Sequence, residues 1–252
     1  MPGLLWVLGG VVLGLVIGSF LGALVTRWPR GESVLHGRSH CDGCGRTLAV
    51  RDLVPVLSAL ASRFRCRSCG ARIAPEHLVL EVGAAAIGGL AFAMAGDPIA
   101  AIGWCLLGWG LLVLAWLDAR HFWLPDALTL PLAFLGLTIG PFTTAVSLTD
   151  RWIGAAAGYG ALMAVALGYK ALRGREGLGL GDAKLLGAIG AWTGWMALPF
   201  VLLIASMTGL CWAALLAVRG QDVHAGLRLP LGTFLCLATG PAMVLMQMAF
   251  LR

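Results

Sequence analysis

Between Gly3 and Val25 the chain carries no charged residue. At about 1.5 Å per helical residue, such a run crosses a bilayer core of about 30 Å. Further apolar runs follow at 78–96, 99–117, 127–148, 152–172, 183–195, 196–218 and 229–250. With 59% hydrophobic and 12% charged residues among 252, the chain is too apolar for a soluble domain. The expected fold is therefore an all-α membrane protein of about eight transmembrane helices. The first run is read as a span and not as a cleaved signal peptide, because no positive residue precedes it and it is too long.

The charge is concentrated in one place. Of the sixteen arginines, nine lie from Arg27 to Arg72, directly after the first span. Positive loops stay cytosolic, so residues 26–77 are expected inside and the N-terminus outside. This loop holds Cys41, Cys44, Cys66 and Cys69 in two C-x-x-C pairs twenty-one residues apart. That pattern points to a structural zinc site of four thiolates, closed to water, stapling a loop with few large apolar side chains. Gly45 and Gly70 follow the two pairs, as tight knuckles require. Disulfides are the alternative, disfavoured by a reducing cytosol. Cys105, Cys211 and Cys236 lie in apolar runs and are read as packing residues.

The spans place two aspartates together. Asp118 ends an inward-going helix and Asp182 begins an outward-going one, so both are expected at the cytosolic membrane surface. An acid beside a membrane segment is a functional candidate. Capping of a helix from Ala183 is the simpler reading of Asp182. Two carboxylates at one depth suggest an aspartic protease dyad, one taking a proton from water and one giving a proton to the peptide carbonyl. Like charges held close cannot both ionise, so the pair shares a proton. Helix dipoles favour the anion at Asp182, at a helix start, which makes it the base and Asp118 the acid. Other readings are a transporter relaying cations or protons and a scaffold with a zinc docking module.

Around the pair, Gly179, Gly181 and Lys184 complete G-x-G-D-x-K with Glu176 just before it, and Leu124-Pro125-Asp126 follows Asp118. These residues resemble the type IV prepilin leader peptidases. Arg38-Ser39, Asp52-Leu53-Val54-Pro55 and Glu81 of the loop region, and Gly18-Ser19-Phe20-Leu21 with Arg27 and Pro29 of the first span, resemble it too. Two departures are Gly22, where the family usually has asparagine, and Leu178, where methionine is usual. The resemblance implies an endopeptidase of the bacterial cytoplasmic membrane that removes the basic leader of prepilins or type II secretion pseudopilins. It also implies N-methylation of the new N-terminus with S-adenosylmethionine; a peptidase without methyl transfer is the alternative. Asp118 and Asp182 become the catalytic pair, with Gly179, Gly181, Lys184, Glu176 and Asp126 in support. The residues binding S-adenosylmethionine are not legible. The implied domains are a first helix (1–25), a methyltransferase-associated zinc loop (26–77) and a peptidase domain (78–252). Its partners are the prepilin substrates and membrane lipid, with no nucleic acid. Lys184 and Glu176 could pair with each other, Asp126 could fix a helix start, and Glu81 could meet a loop arginine.

Overall fold

The structure, a computed structural model, describes residues 3–34, 39–41, 43–174, 177–222 and 228–250. Its elements are α1 (Leu4–Arg27), α2 (Leu57–Ala61), α3 (Pro75–Met94), α4 (Pro98–His121), α5 (Asp126–Thr138), α6 (Leu148–Arg173), α7 (Leu180–Thr193), α8 (Leu198–Val218) and α9 (Leu231–Phe250). Among the described residues there is no β-strand, only isolated bridges at His40–Thr47 and Arg65–Arg72.

A helix stands at each of the eight apolar runs. Five segments are long and apolar enough to cross a membrane: Leu4–Arg30, Pro75–Met94, Pro98–His121, Leu148–Arg173 and Trp195–Val218. α5 falls short of the expected 127–148. Pro131 lies inside it, and beyond Thr138 the Gly140-Pro141-Phe142 turn tightens into a 3-10 helix. Pro141 can neither donate an amide nor leave residue 140 free to continue the helix.

The chain forms two compact units, 1–113 and 114–252. In the first, α1 lies along α3. Gly14 of α1 faces the Ala84 carbonyl, and a Cβ on Gly18 would stand 2.6 Å from the Glu81 Cα. Small residues four apart let the two backbones approach closely. On the same side of α1, a Cβ at Gly22 would stand 2.6 Å from His77 Nδ1, so the His77 ring fills the place of a larger residue there. Trp109 Nε1 donates to the Ala84 carbonyl (3.0 Å) and joins α4 to α3.

In the second unit α7 is the core. Every residue from Asp182 to Thr193 except Lys184 is buried. The helix packs against α5, α6 and α9. A charge holds its C-terminal end. The sequence suggests an outer turn at Asp150-Arg151, but Arg151 is inside the first turns of α6 and fully buried. Its guanidinium donates to the carbonyls of Trp192 (2.6 Å), Gly140 (2.7 Å) and Ala191 (3.2 Å), and through Nε to Val146 (3.2 Å). A cation with five donors suits carbonyls left over at helix ends. Trp192 adds a hydrogen bond from Nε1 to the Leu132 carbonyl of α5 (2.8 Å).

Candidate active site

Asp118 lies in the last turn of α4. Its carbonyl accepts from the Phe122 amide (2.9 Å), and Phe122 itself stands in the left-handed region at φ 50°. Asp182 is the third residue of α7, whose helix starts at Leu180 with Gly179 at the cap position. Capping of a helix from Ala183 is thus not its role. Both side chains are buried, Asp118 at 5% and Asp182 at 9% exposure. They lie within Coulombic reach of each other.

A third element, not singled out in the sequence, completes the site. The first turn of α9 brings two successive amides to the two acids. The Thr233 amide donates to Asp118 Oδ2 (2.7 Å), and the Thr233 hydroxyl lies 3.0 Å from the same oxygen and 3.0 Å from the Ala115 carbonyl. The Gly232 amide, with that of Gly179, faces Asp182. Orphan amides at a helix start are ready acceptors of negative charge. A Cβ at 232 would stand 2.8 Å from Leu124 Cδ1 and 3.1 Å from Asp118 Cγ, so a side chain there would press on both. Asp182 Oδ1, by contrast, is buried and has no hydrogen-bond partner among the described residues. The apolar run at 229–250 gives the helix and Pro230, two residues before Gly232, marks its start, but nothing local marks its amides as partners of the acids.

The two motifs interlock beside the acids. A Cβ on Gly181 would stand 3.0 Å from Leu124 Cβ, so the second motif glycine makes room for the leucine of the first. Gly179 lies beside its own aspartate, its Cβ position 3.2 Å from Asp182 Oδ2. Lys184 Nζ bonds both carboxylate oxygens of Asp126 (2.7 Å each), a partner the sequence does not suggest. Glu176 lies outside the described residues.

In the first unit Cys41, Cys44, Cys66 and Cys69 converge, their sulfurs all within 4.8 Å of one another and none in a disulfide. Two matched knuckles make the cluster. Each has a bond from the amide of its following glycine to the first cysteine carbonyl, Gly45 to Cys41 (2.8 Å) and Gly70 to Cys66 (3.0 Å). Both glycines are left-handed, at φ 68° and 70°. The Cys41–Cys69 sulfur separation of 3.9 Å matches the edge of a tetrahedron with zinc–sulfur bonds of about 2.3 Å. Amides of Cys69 and Ser68 turned on Cys66 lower its thiol to about 6. Cys69, although the Ala71 amide favours its thiolate, is pushed up to about 11 by the Cys44 thiol and by desolvation. A divalent cation would relieve that competition by taking all four as thiolates. Glu81 of α3 is buried and accepts from the Val56 amide (2.7 Å), with no ion pair to an arginine among the described residues. Asp52 pairs with Arg46 (3.1 Å) and Arg67 (3.5 Å).

Fold and site together define a helical protein with membrane-crossing segments, two buried acids on separate helices and a four-cysteine cluster able to hold a metal ion. Residues 105–214 match the Type IV leader peptidase family, and residues 12–95 match the Bacterial Peptidase A24 N-terminal domain. The chain is 40% identical to a prepilin leader peptidase/N-methyltransferase of Burkholderia pseudomallei (strain 1026b), covering 89% of this chain and 81% of that one. It is 38% identical to a protein of the same name from Dickeya chrysanthemi (95% and 93% covered) and 33% identical to one from Stutzerimonas stutzeri (93% and 89%). The protein belongs to the type IV leader peptidase family. No solved structure matches the chain.

Proposed function

We propose that the protein cleaves the basic leader from prepilins or pseudopilins with Asp118 and Asp182 as its catalytic pair, and then methylates the new N-terminal amine. The observation that carries the peptidase reading is the meeting of two buried carboxylates from separate helices, one with an oxygen that no described residue bonds. One carboxylate takes a proton from water as the water oxygen attacks the scissile carbonyl carbon. The other, protonated, gives its proton to the carbonyl oxygen. The tetrahedral intermediate then breaks its C–N bond and the leaving amine is protonated.

Donors face both acids: the Thr233 amide and hydroxyl lie on Asp118 Oδ2, and the Gly232 and Gly179 amides face Asp182. Asp182 Oδ1, which no described residue bonds, is the place for the shared proton, and this makes Asp118 the base and Asp182 the acid, opposite to the assignment drawn from helix dipoles. The basic stretch after α1 supports a cytosolic position for residues 26–77 and, with it, for the acids, in a bacterial cytoplasmic membrane crossed by all eight apolar helices. The four cysteines hold structural zinc. S-adenosylmethionine supplies an electrophilic methyl group, and the family names of the relatives carry this second activity.

The test is incubation of the purified protein with a synthetic prepilin and S-adenosylmethionine, followed by mass analysis of the product N-terminus. The expected product is shortened and one methyl heavier. Asp118→Asn and Asp182→Asn should each lower cleavage by roughly a thousandfold or more, with zinc content and thermal unfolding unchanged. Retained cleavage in either variant would refute the dyad.

A further inference from the structure

Within the first unit lies a cavity of about 400 Å³, lined by residues that include Ser19, Arg27, Asp52, His77 and Glu81. Its size suits a metabolite. Arg27 is 9% exposed and Glu81 7%. Glu81 uses one oxygen on the Val56 amide. Of the other arginines in its lining, Arg46 and Arg67 share the single carboxylate of Asp52, and Arg65 and Arg72 are exposed. The Arg27 guanidinium, in contrast, forms no ion pair with any described residue, although it is buried at the end of α1. A buried charge left unpaired is strongly unfavourable, so a guanidinium kept in a cavity wall fits an anion that arrives with a ligand. Carboxylate geometry matches its fork of donors.

The distribution of the two family matches narrows the ligand. The peptidase match covers residues 105–214, and the cavity lies wholly within residues 19–81, inside the separate N-terminal match. The relatives' printed name carries a second activity, N-methylation, that the peptidase segment does not account for. A methyl donor with an α-carboxylate, an ammonium, a sulfonium and ribose hydroxyls needs both signs of charge in its site. Arg27 and Glu81, both in the lining, supply them.

We propose that this cavity is the S-adenosylmethionine site, with Arg27 holding the α-carboxylate and Glu81 facing the cationic part of the ligand. The proposal rests on the methyl-transfer reading above. It is tested by calorimetric binding to the detergent-solubilised full-length protein of two probes: S-adenosylhomocysteine, which keeps the carboxylate, and 5′-methylthioadenosine, which lacks it. Arg27→Met should weaken S-adenosylhomocysteine at least tenfold and leave 5′-methylthioadenosine within twofold. Arg27→Lys should fall between Arg27→Met and the unaltered protein. Leader cleavage, which does not use this cavity, should persist in both variants and reports folding.

Equal loss of both probes, or of neither, overturns the proposal. So does an Arg27→Met variant that binds S-adenosylhomocysteine normally but no longer retains phosphatidylglycerol, since the guanidinium would then serve a lipid headgroup. Prepilin methylation and S-adenosylhomocysteine binding that persist in Arg27→Met sink this site alone. No binding and no methylation by the unaltered protein would instead sink the methyl-transfer reading, and the site with it.

Discussion

At its C-terminal end α7 meets the buried guanidinium of Arg151, which donates to carbonyls at the ends of both α7 and α5. At its N-terminal end it carries a buried carboxylate with an oxygen that no described residue bonds. Both groups are withdrawn from solvent, yet only one is fully provided for. A buried ion surrounded by matched partners stabilises the packing it joins, whereas one left short of partners costs stability. The first therefore acts as structure, while the second keeps bonding capacity for something that comes and goes. That contrast, and not burial alone, marks which end of the helix does chemistry.

The sharpest way to break the contrast is to neutralise each end in turn. Arg151→Met should cost about 3–5 kcal/mol, since it leaves several inward carbonyls without donors. Asp182→Asn should change stability by under about 1 kcal/mol, because the amide keeps the shape and neutrality of the protonated acid. Thermal unfolding in detergent measures both, and equal losses would erase the distinction. A smaller effect is expected at Thr233. Thr233→Val removes the hydroxyl beside Asp118 Oδ2 but keeps the amide, and should slow cleavage roughly tenfold, the worth of about one hydrogen bond. Thr233→Ser should restore most of the rate, and full activity in Thr233→Val would leave only the amide as a support of Asp118. The least effect is expected from Lys184→Met. Its pair with Asp126 is partly exposed, so the loss in unfolding free energy should be under about 1 kcal/mol. A loss as large as that of Arg151→Met would show that the N-terminal end depends on its charges for folding too.

Most of this was legible in the sequence where the signal is local. Charge-free runs locate the helices, although α5 ends at Thr138, short of its run, where Gly140-Pro141-Phe142 turns. The C-x-x-C pairs give the cluster, because ligand spacing and the following Gly45 and Gly70 are set within a few residues. Counting helices and their directions puts Asp118 and Asp182 at one expected depth, which leaves room for the Coulombic approach between them. What was hidden depends on partners distant along the chain. Arg151 reads as a turn residue beside Asp150, and nothing nearby shows that carbonyls of residues 191 and 192 await it. Thr233 sits in an apolar run, 115 residues beyond the aspartate it bonds. Lys184 has Glu176 as its candidate partner in sequence, whereas the structure brings Asp126, 58 residues earlier, beside it.

The reach of Arg151 also bears on the order in which the chain can be assembled. Gly140 and Val146 precede it, while Ala191 and Trp192 lie 40 and 41 residues further on. During synthesis the earlier acceptors are at hand when α6 emerges, but the later ones have not yet been made. Until α7 is in place, α6 carries a partly unsatisfied cation, a bias against settling early with any wrong neighbour.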